Sequence, residues 1–175
     1  YLGAFFSVFT ALKFSFLPTY LLLPIAILGG IISGMIWGGI PGILKAQFGT
    51  HEVILTVMMN YIGINLTSYL VNYPYKAEGW VAQTKIIPSG AILPTLIPKT
   101  QLSAGLILAI LAAIGVYILL WKTSIGYEIR AVGENPTAAE SGGINIKKNI
   151  TLAMALSGGL AALAGITQSL GVYER

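Results

Sequence analysis

Four long stretches of this chain contain no charged side chain, and together they predict a membrane protein. They cover residues 14–44, 53–75, 100–121 and 149–173, and each is at least 22 residues long. A helix needs about 20 predominantly apolar residues to cross the roughly 30 Å hydrocarbon core of a bilayer. We therefore predict an all-α polytopic membrane protein with a helical-bundle fold and full spans near residues 19–39, 53–71, 102–121 and 150–172.

Residues 1–12 are apolar but too short to cross the bilayer, so we interpret them as the end of a partial N-terminal span. Pro41 and Gly42 predict that the first full span ends near residue 39, because proline interrupts helices. The loop 72–101 contains four prolines, and its apolar inner piece, residues 86–98, predicts an interfacial or re-entrant segment because prolines interrupt it at short intervals. We expect residues 1–175 to form one membrane domain, as a fragment of a longer chain.

The polar loop, residues 122–149, separates the last two spans and carries seven of the charged side chains. Within it, Asn135 is a favourable N-cap and Pro136 suits the first helical position. Gly142 and Gly143 would end such a helix. The pattern predicts a short helix over residues 135–141 that lies outside the membrane.

Small residues recur every four positions in two of the predicted spans. Helices in lipid associate through close packing, since lipid supplies no hydrophobic drive, and small residues permit that approach. We predict helix contacts at both stripes, either static or able to slide. The first stripe is Gly30, Gly34, Gly38 and Gly42, and the second is Ala153, Ser157, Ala161, Gly165 and Ser169.

The second span is the most polar, with two asparagines well inside it. Asparagine within a membrane span is costly unless it meets a partner or water. One interpretation is a substrate path lined by Asn60, Tyr61 and Asn65. The other is hydrogen bonding between helices that serves only the structure.

Composition agrees with this class and excludes several chemistries. The chain is 55% hydrophobic and 9% charged, against roughly 25% charged in soluble domains. Without cysteine there is no disulfide or thiolate metal site, and no metal is expected. All six acidic residues lie in loops or at span edges, so no titratable group marks a proton-coupled carrier. The net charge of +4 suits lipid headgroups and does not indicate nucleic acid.

Orientation does not follow from charge, because five Lys and Arg fall on each side of the predicted spans. The chain also lacks a GxxxxGK[ST] loop for ATP. The pair His51 and Glu52 is interpreted as a polar membrane edge, with Glu52 favoured at the N-terminus of the second span.

Two segments resemble a known family. GYEIRAVGENPTAAESGGINIKKNITLAMALSGGLAALAG resembles the cytoplasmic-loop signature of ABC importer permeases in the branched-chain amino acid, simple sugar and nucleoside group. GILKAQFGTHEVILTVMMNYI is similar to the nucleoside branch in particular. The chain departs from the pattern at His51, where Asn is common, and at Ala162, where Gly is common.

The resemblance implies a multi-pass, non-catalytic subunit in the bacterial cytoplasmic membrane, with ATP and Mg bound by a partner ATPase. It implies a second permease subunit and an extracytoplasmic substrate-binding protein or lipoprotein. Sugar or amino acid import, or a secondary carrier or channel, remain the alternatives to nucleoside import.

The resemblance also implies that the polar loop is cytoplasmic and that its helix couples to the ATPase. Ala138 and Ala139 are small enough for close docking, and Glu134 and Glu140 would offer charges at the rim of the contact. Arg130 would pair with Glu134 if that stretch is helical. The implied ATPase-coupling residues are Arg130, Gly133, Glu134, Asn135, Pro136, Ala138, Ala139 and Glu140.

Overall fold

The computed structural model describes residues 1–16, 18–74, 91–94 and 103–173, and these form an all-α fold. Seven α-helices follow one another along the described chain, and a short π-helical segment, Ser169–Tyr173, continues the last one. The helices are α1 (Leu2–Lys13), α2 (Thr19–Phe48), α3 (Glu52–Asn72), α4 (Gly105–Lys122), α5 (Ser124–Glu134), α6 (Pro136–Ser141) and α7 (Ile146–Gln168).

Four helical segments are long and apolar enough to cross a membrane, which confirms the polytopic prediction. They are Tyr20–Phe48, Glu52–Asn72, Gly105–Lys122 and Ile146–Gly171, whereas α1 is a shorter apolar helix. The C-terminal end of α2 lies beside the N-terminal end of α7, since Gln47 and Lys148 line one shallow cavity. The polar loop and the turn between α2 and α3 therefore share one end of the bundle.

The first full span is longer than its prolines predict. Both Pro24 and Pro41 lie inside α2, which continues to Phe48. Proline removes one backbone donor, and membrane helices tolerate this loss because neighbouring helices compensate for it. The helix ends instead at Gly49, whose left-handed φ of 63° favours glycine and whose N–H donates to Lys45 O at 3.0 Å.

The last span begins before residue 150 because Asn145 caps it. The Asn145 side chain accepts from Lys148 N–H at 3.0 Å, so helix α7 starts at Ile146. Most of the predicted interfacial segment, 86–98, lies outside the described residues. Its described part at residues 91–94 meets the end of the last span, where Leu93 N–H donates to Leu170 O at 3.0 Å.

Helices α2 and α7 pack backbone against backbone. A Cβ added to Gly34 would lie 2.7 Å from Gly158 O, and one added to Gly38 would lie 2.8 Å from Met154 O. Gly30 is equally tight, with Gly3 O at 2.7 Å from its added Cβ. The glycine stripe of α2 thus faces α7, and one of its members also meets α1.

The matching surface of α7 is not the stripe that contains Ser157 and Ala161. The residues of α7 that meet the glycine stripe of α2 are Thr151, Met154, Gly158, Ala162 and Ile166. Gly165 instead faces α1, since its added Cβ would lie 3.3 Å from Ala4 Cβ. The predicted stripe lies one residue earlier along α7 than the contacting row of Gly158 and Ala162. It is exposed at Ser157 and Ala161, to one side of the α2 contact.

We predict that Gly158→Leu destabilises the full-length protein, because the added side chain has to displace the α2 backbone. Overpacking of this kind costs about 1–3 kcal/mol or more. Thermal unfolding of the purified protein in detergent, followed by size-exclusion chromatography, measures the loss. Gly115→Leu is the matched control, since nothing lies within 4 Å of its added Cβ. Equal stability of the two variants would contradict the tight contact.

Candidate functional site

The polar loop is more ordered than its sequence predicts, because it opens with an additional helix, α5. The Thr123 hydroxyl caps α5 by accepting from Gly126 N–H at 3.1 Å. Gly126 allows the sharp approach of α5 to the end of α4, since an added Cβ would lie 2.5 Å from Leu120 Cα. Thr123 stands three residues before this glycine. It is an N-cap signal in the sequence that could have revealed the helix.

Helix α6 forms where the caps predict it. Asn135 Oδ1 accepts from Ala138 N–H at 3.1 Å, and Pro136 is the first helical residue. Beyond the helix, Gly143 takes a φ of 81° and Ile144 N–H donates to Ala139 O at 3.0 Å. Both ends of this six-residue helix are therefore capped by local hydrogen bonds.

The two alanines of α6 differ in their surroundings. Ala139 is 6% exposed, whereas Ala138 is exposed together with Glu134 and Glu140. The side of α6 that is free for a partner therefore carries Ala138, and Ala139 holds the helix against its own loop. Gly133 is also exposed, with nothing within 4 Å of its added Cβ.

Arg130 does not form the ion pair with Glu134 that their spacing suggests. Its guanidinium carbon lies 4.2 Å from the centre of the Trp121 ring, a cation–π contact. Across the described ranges, the ion pair within 4 Å joins Lys45 to Glu52. Arg130 therefore ties α5 to the end of α4, and Glu134 stays free at the surface.

One hydrogen bond anchors the polar loop to the last span. Asn149 is 2% exposed, and its Nδ2 donates to Glu128 Oε2 at 3.0 Å and to Asn145 O at 3.0 Å. Glu128 lies on α5 and Asn149 in the first turns of α7. We call this contact the Glu128–Asn149 anchor.

A cavity of about 510 Å³ lies between α2, α3 and α7 and is open to the surface at Asn60 and Ser157, which are exposed. Its polar lining consists of side chains from all three helices, and the rest is aliphatic, Gly or Met. The lining residues able to form hydrogen bonds through their side chains are Trp37, Glu52, Thr56, Asn60 and Ser157. Ala161, from the same small-residue stripe as Ser157, lies in the wall as well.

Asn60 differs from its neighbour Asn65 in its hydrogen bonding. Asn65 Nδ2 donates to Tyr61 O at 2.8 Å, so its own helix satisfies it. Among the described residues, no hydrogen bond forms to the carboxamide of Asn60 or to the hydroxyl of Ser157. The structure thus brings Asn60 to the cavity. Tyr61 is 64% exposed outside the cavity lining, and a role for Tyr61 and Asn65 in a substrate path stays a prediction.

The ion pair of Lys45 with Glu52 lies at the mouth of this cavity. Lys45 belongs to the last turn of α2, and Glu52 is the first residue of α3, where the helix dipole favours its charge. The pair links the two helices next to the polar loop. The charge that borders the cavity is therefore confined to its mouth.

A bundle of membrane-crossing helices with a polar cavity between them and a capped helix at one end is typical of a transport protein. The chain belongs to the family described as the branched-chain amino acid transport system permease component, whose model matches residues 1–174. The family and the four apolar helices together define a multi-pass protein of the cytoplasmic membrane.

Similar curated proteins are permeases of several ABC transporters. The chain is 38% identical to the guanosine ABC transporter permease of Bacillus subtilis, over 90% of this chain and 46% of that protein. It is 36% identical to the nucleoside ABC transporter permease of Lactococcus lactis, over 96% of this chain and 49% of that protein. It is 30% identical to the glucose ABC transporter permease of Haloferax volcanii, over 99% of this chain and 48% of that protein.

The chain spans about half the length of the curated relatives it matches. No solved structure matches it.

We predict that the Glu128–Asn149 anchor stabilises the polar loop. Glu128→Ala and Asn149→Ala should each lower the free energy of unfolding by about 1–3 kcal/mol, since each removes the hydrogen bond from the buried Asn149 to the half-buried carboxylate of Glu128. The double variant should cost less than the sum of the two, because both remove the same interaction. Thermal unfolding of the four proteins gives the coupling.

The matched control is Glu134→Ala, which removes an exposed carboxylate that has no ion pair in the described chain. Glu128→Gln keeps an oxygen acceptor and should remain close to the wild type. Strict additivity of the Ala variants would show that the anchor contributes nothing.

Proposed function

We propose that the chain forms part of the membrane-spanning permease subunit of an ABC importer for nucleosides. The observation that carries the proposal is the 38% identity to a guanosine ABC transporter permease across 90% of this chain. ATP and Mg would bind to a separate ATPase subunit. A second permease subunit and an extracytoplasmic binding protein or lipoprotein would complete the transporter, which sits among membrane lipids.

In this proposal, the exposed side of α6 is the surface that enters a groove on the ATPase subunit. Ala138 gives the helix a small contact residue, and Glu134 and Glu140 lie exposed at its two ends. Charges at a contact rim favour the right partner and the right register. The caps at Asn135 and Gly143 support this role, because a helix of six residues needs them to keep its shape.

Movement of α6 would reach the spans through the Glu128–Asn149 anchor. Since α5 holds the first turns of α7, and α7 packs against the α2 backbone at Gly34 and Gly38, a displaced loop would carry α7 and α2 together. These helices form two of the three walls of the cavity. The cavity would change its width against α3, which supports its assignment as the substrate path.

The described spans carry no group that would mark a proton-driven carrier. In the described part of the chain, no charged side chain lies in the central turns of α2, α3, α4 or α7. A proton-driven carrier usually needs a titratable group at mid-membrane. The driving force would therefore arrive through the polar loop.

A sugar is the second candidate substrate, because the chain is also 30% identical to a glucose ABC transporter permease over nearly its whole length. Uptake competition separates the two. Cells that depend on the complete transporter should take up labelled guanosine, and unlabelled nucleosides should compete while glucose and leucine do not. Competition by glucose alone would favour the sugar permease.

We predict that Ala138→Arg in the full-length permease abolishes nucleoside uptake while leaving insertion and assembly intact. A bulky cation on the free side of α6 would keep the helix out of its groove, whereas the loop fold does not depend on this exposed side chain. Uptake and nucleoside-stimulated ATPase activity in proteoliposomes measure the effect, which should exceed tenfold, equivalent to about 1.4 kcal/mol.

Ser124→Arg is the control for the added charge, because it lies exposed in the same loop but outside α6. Ala139→Arg is a poor test of docking, since the buried position would disturb the loop itself. Wild-type uptake by the Ala138→Arg protein would refute the coupling role of α6.

A further inference from the structure

We infer that Trp37, Asn60 and Ser157 form a nucleobase-binding subsite in the cavity between α2, α3 and α7. The inference rests on the proposed function and names the part of the substrate that this site recognises. Each residue comes from a different helix and lies near the middle of it. Transporters bind their substrates near the membrane midplane, where polar side chains are otherwise too costly to keep.

Trp37 supplies an aromatic wall in a fixed position. Gly63 lies against the edge of the indole, because its added Cβ would be 3.6 Å from Nε1 and 3.7 Å from Cζ2 of Trp37. The half-buried indole therefore bridges α2 to α3 while it lines the cavity. An indole that lines a cavity offers an aromatic group on which a nucleobase can stack, since every base has a π face.

Asn60 and Ser157 supply hydrogen-bonding groups that the described chain leaves unused. Serine and threonine elsewhere in the spans bond to their own helix, as Thr67 does to Gly63 O at 2.8 Å. Ser157 and Asn60 form no such bond. A carboxamide both donates and accepts, which matches the edge of a nucleobase, and a hydroxyl matches either the base or the ribose.

The charge distribution favours a neutral ligand. The carboxylate of Glu52 is the charged group in the cavity lining, and it is paired with Lys45 at the mouth. An amino acid would bring an ammonium and a carboxylate into the cavity, where the described lining residues other than Glu52 carry no charge to pair with either one. A nucleoside has no charge, and about 510 Å³ lies within the range of small-molecule pockets.

The test is equilibrium binding of tritiated guanosine to the complete transporter in detergent, without its binding protein. Trp37→Phe keeps an aromatic ring and should bind within about twofold of the wild type. Trp37→Leu keeps apolar volume but removes the ring, and should bind about fivefold to a hundredfold more weakly. Asn60→Leu should weaken binding at least tenfold, because the base edge loses its partner.

Two control variants match these changes. Tyr117→Leu removes an exposed aromatic from α4, and Asn72→Leu removes an asparagine of α3 whose side chain is satisfied by Ser68 O at 2.8 Å. Both should bind guanosine like the wild type. Size-exclusion profiles and basal ATPase activity show that each variant is assembled, so weaker binding reports on the site.

The outcomes separate this inference from the proposed function. Uptake of guanosine by the wild-type transporter, with weak binding by Trp37→Leu and Asn60→Leu, supports both. Uptake by the wild type with unchanged binding by those variants overturns the subsite alone. Competition by free ribose as strongly as by guanosine also overturns it, because the site would then recognise the sugar. Absence of guanosine uptake by the wild type refutes the proposed function itself.

Discussion

The backbone contact between α2 and α7 is the interaction on which the rest of this structure depends. At Gly34, Gly38 and Gly158 the two helices approach so closely that any side chain would meet a neighbouring main chain. Lipid provides no hydrophobic drive for this pairing, so its stability comes from dispersion and close fit. The contact fixes the distance between Trp37 and Ser157, and it places the start of α7 beside the polar loop. Both candidate sites therefore depend on the glycine-lined contact between α2 and α7.

Local chemistry explains which elements the sequence predicts. The spans follow from the length of uncharged segments, and α6 follows from Asn135 and Pro136, whose effects reach only a few residues. The end of α2 was predicted wrongly, because Pro41 is a breaker in water and is tolerated within a packed membrane helix. Helix α5 was missed although it has two local signals, the cap at Thr123 and the helical spacing of Ile125, Ile129 and Val132.

The register of α7 and the role of Asn60 depend on distant contacts, and no local pattern reveals them. Small residues occupy two neighbouring ridges of α7, one with Ser157 and one with Gly158, and only the partner helix decides between them. Likewise, no local sequence pattern distinguishes Asn60 from Asn65. One is satisfied by its own helix and the other faces a cavity formed by three helices. The sequence identifies the polar helix, while the fold distinguishes its residues.

The proposed movement depends on the weak attachment of α3 to α2, compared with the close contact between α2 and α7. Helix α3 meets α2 through Gly63 at Trp37 and through the exposed ion pair of Glu52 with Lys45, whereas α2 and α7 are joined along their backbones. Exposed ion pairs contribute about 0–1 kcal/mol, so this link between α2 and α3 is weak. A force applied at α6 would therefore move α2 and α7 as one body and widen the gap to α3. That gap contains Asn60, so the loop movement would act directly on a residue proposed to bind the substrate.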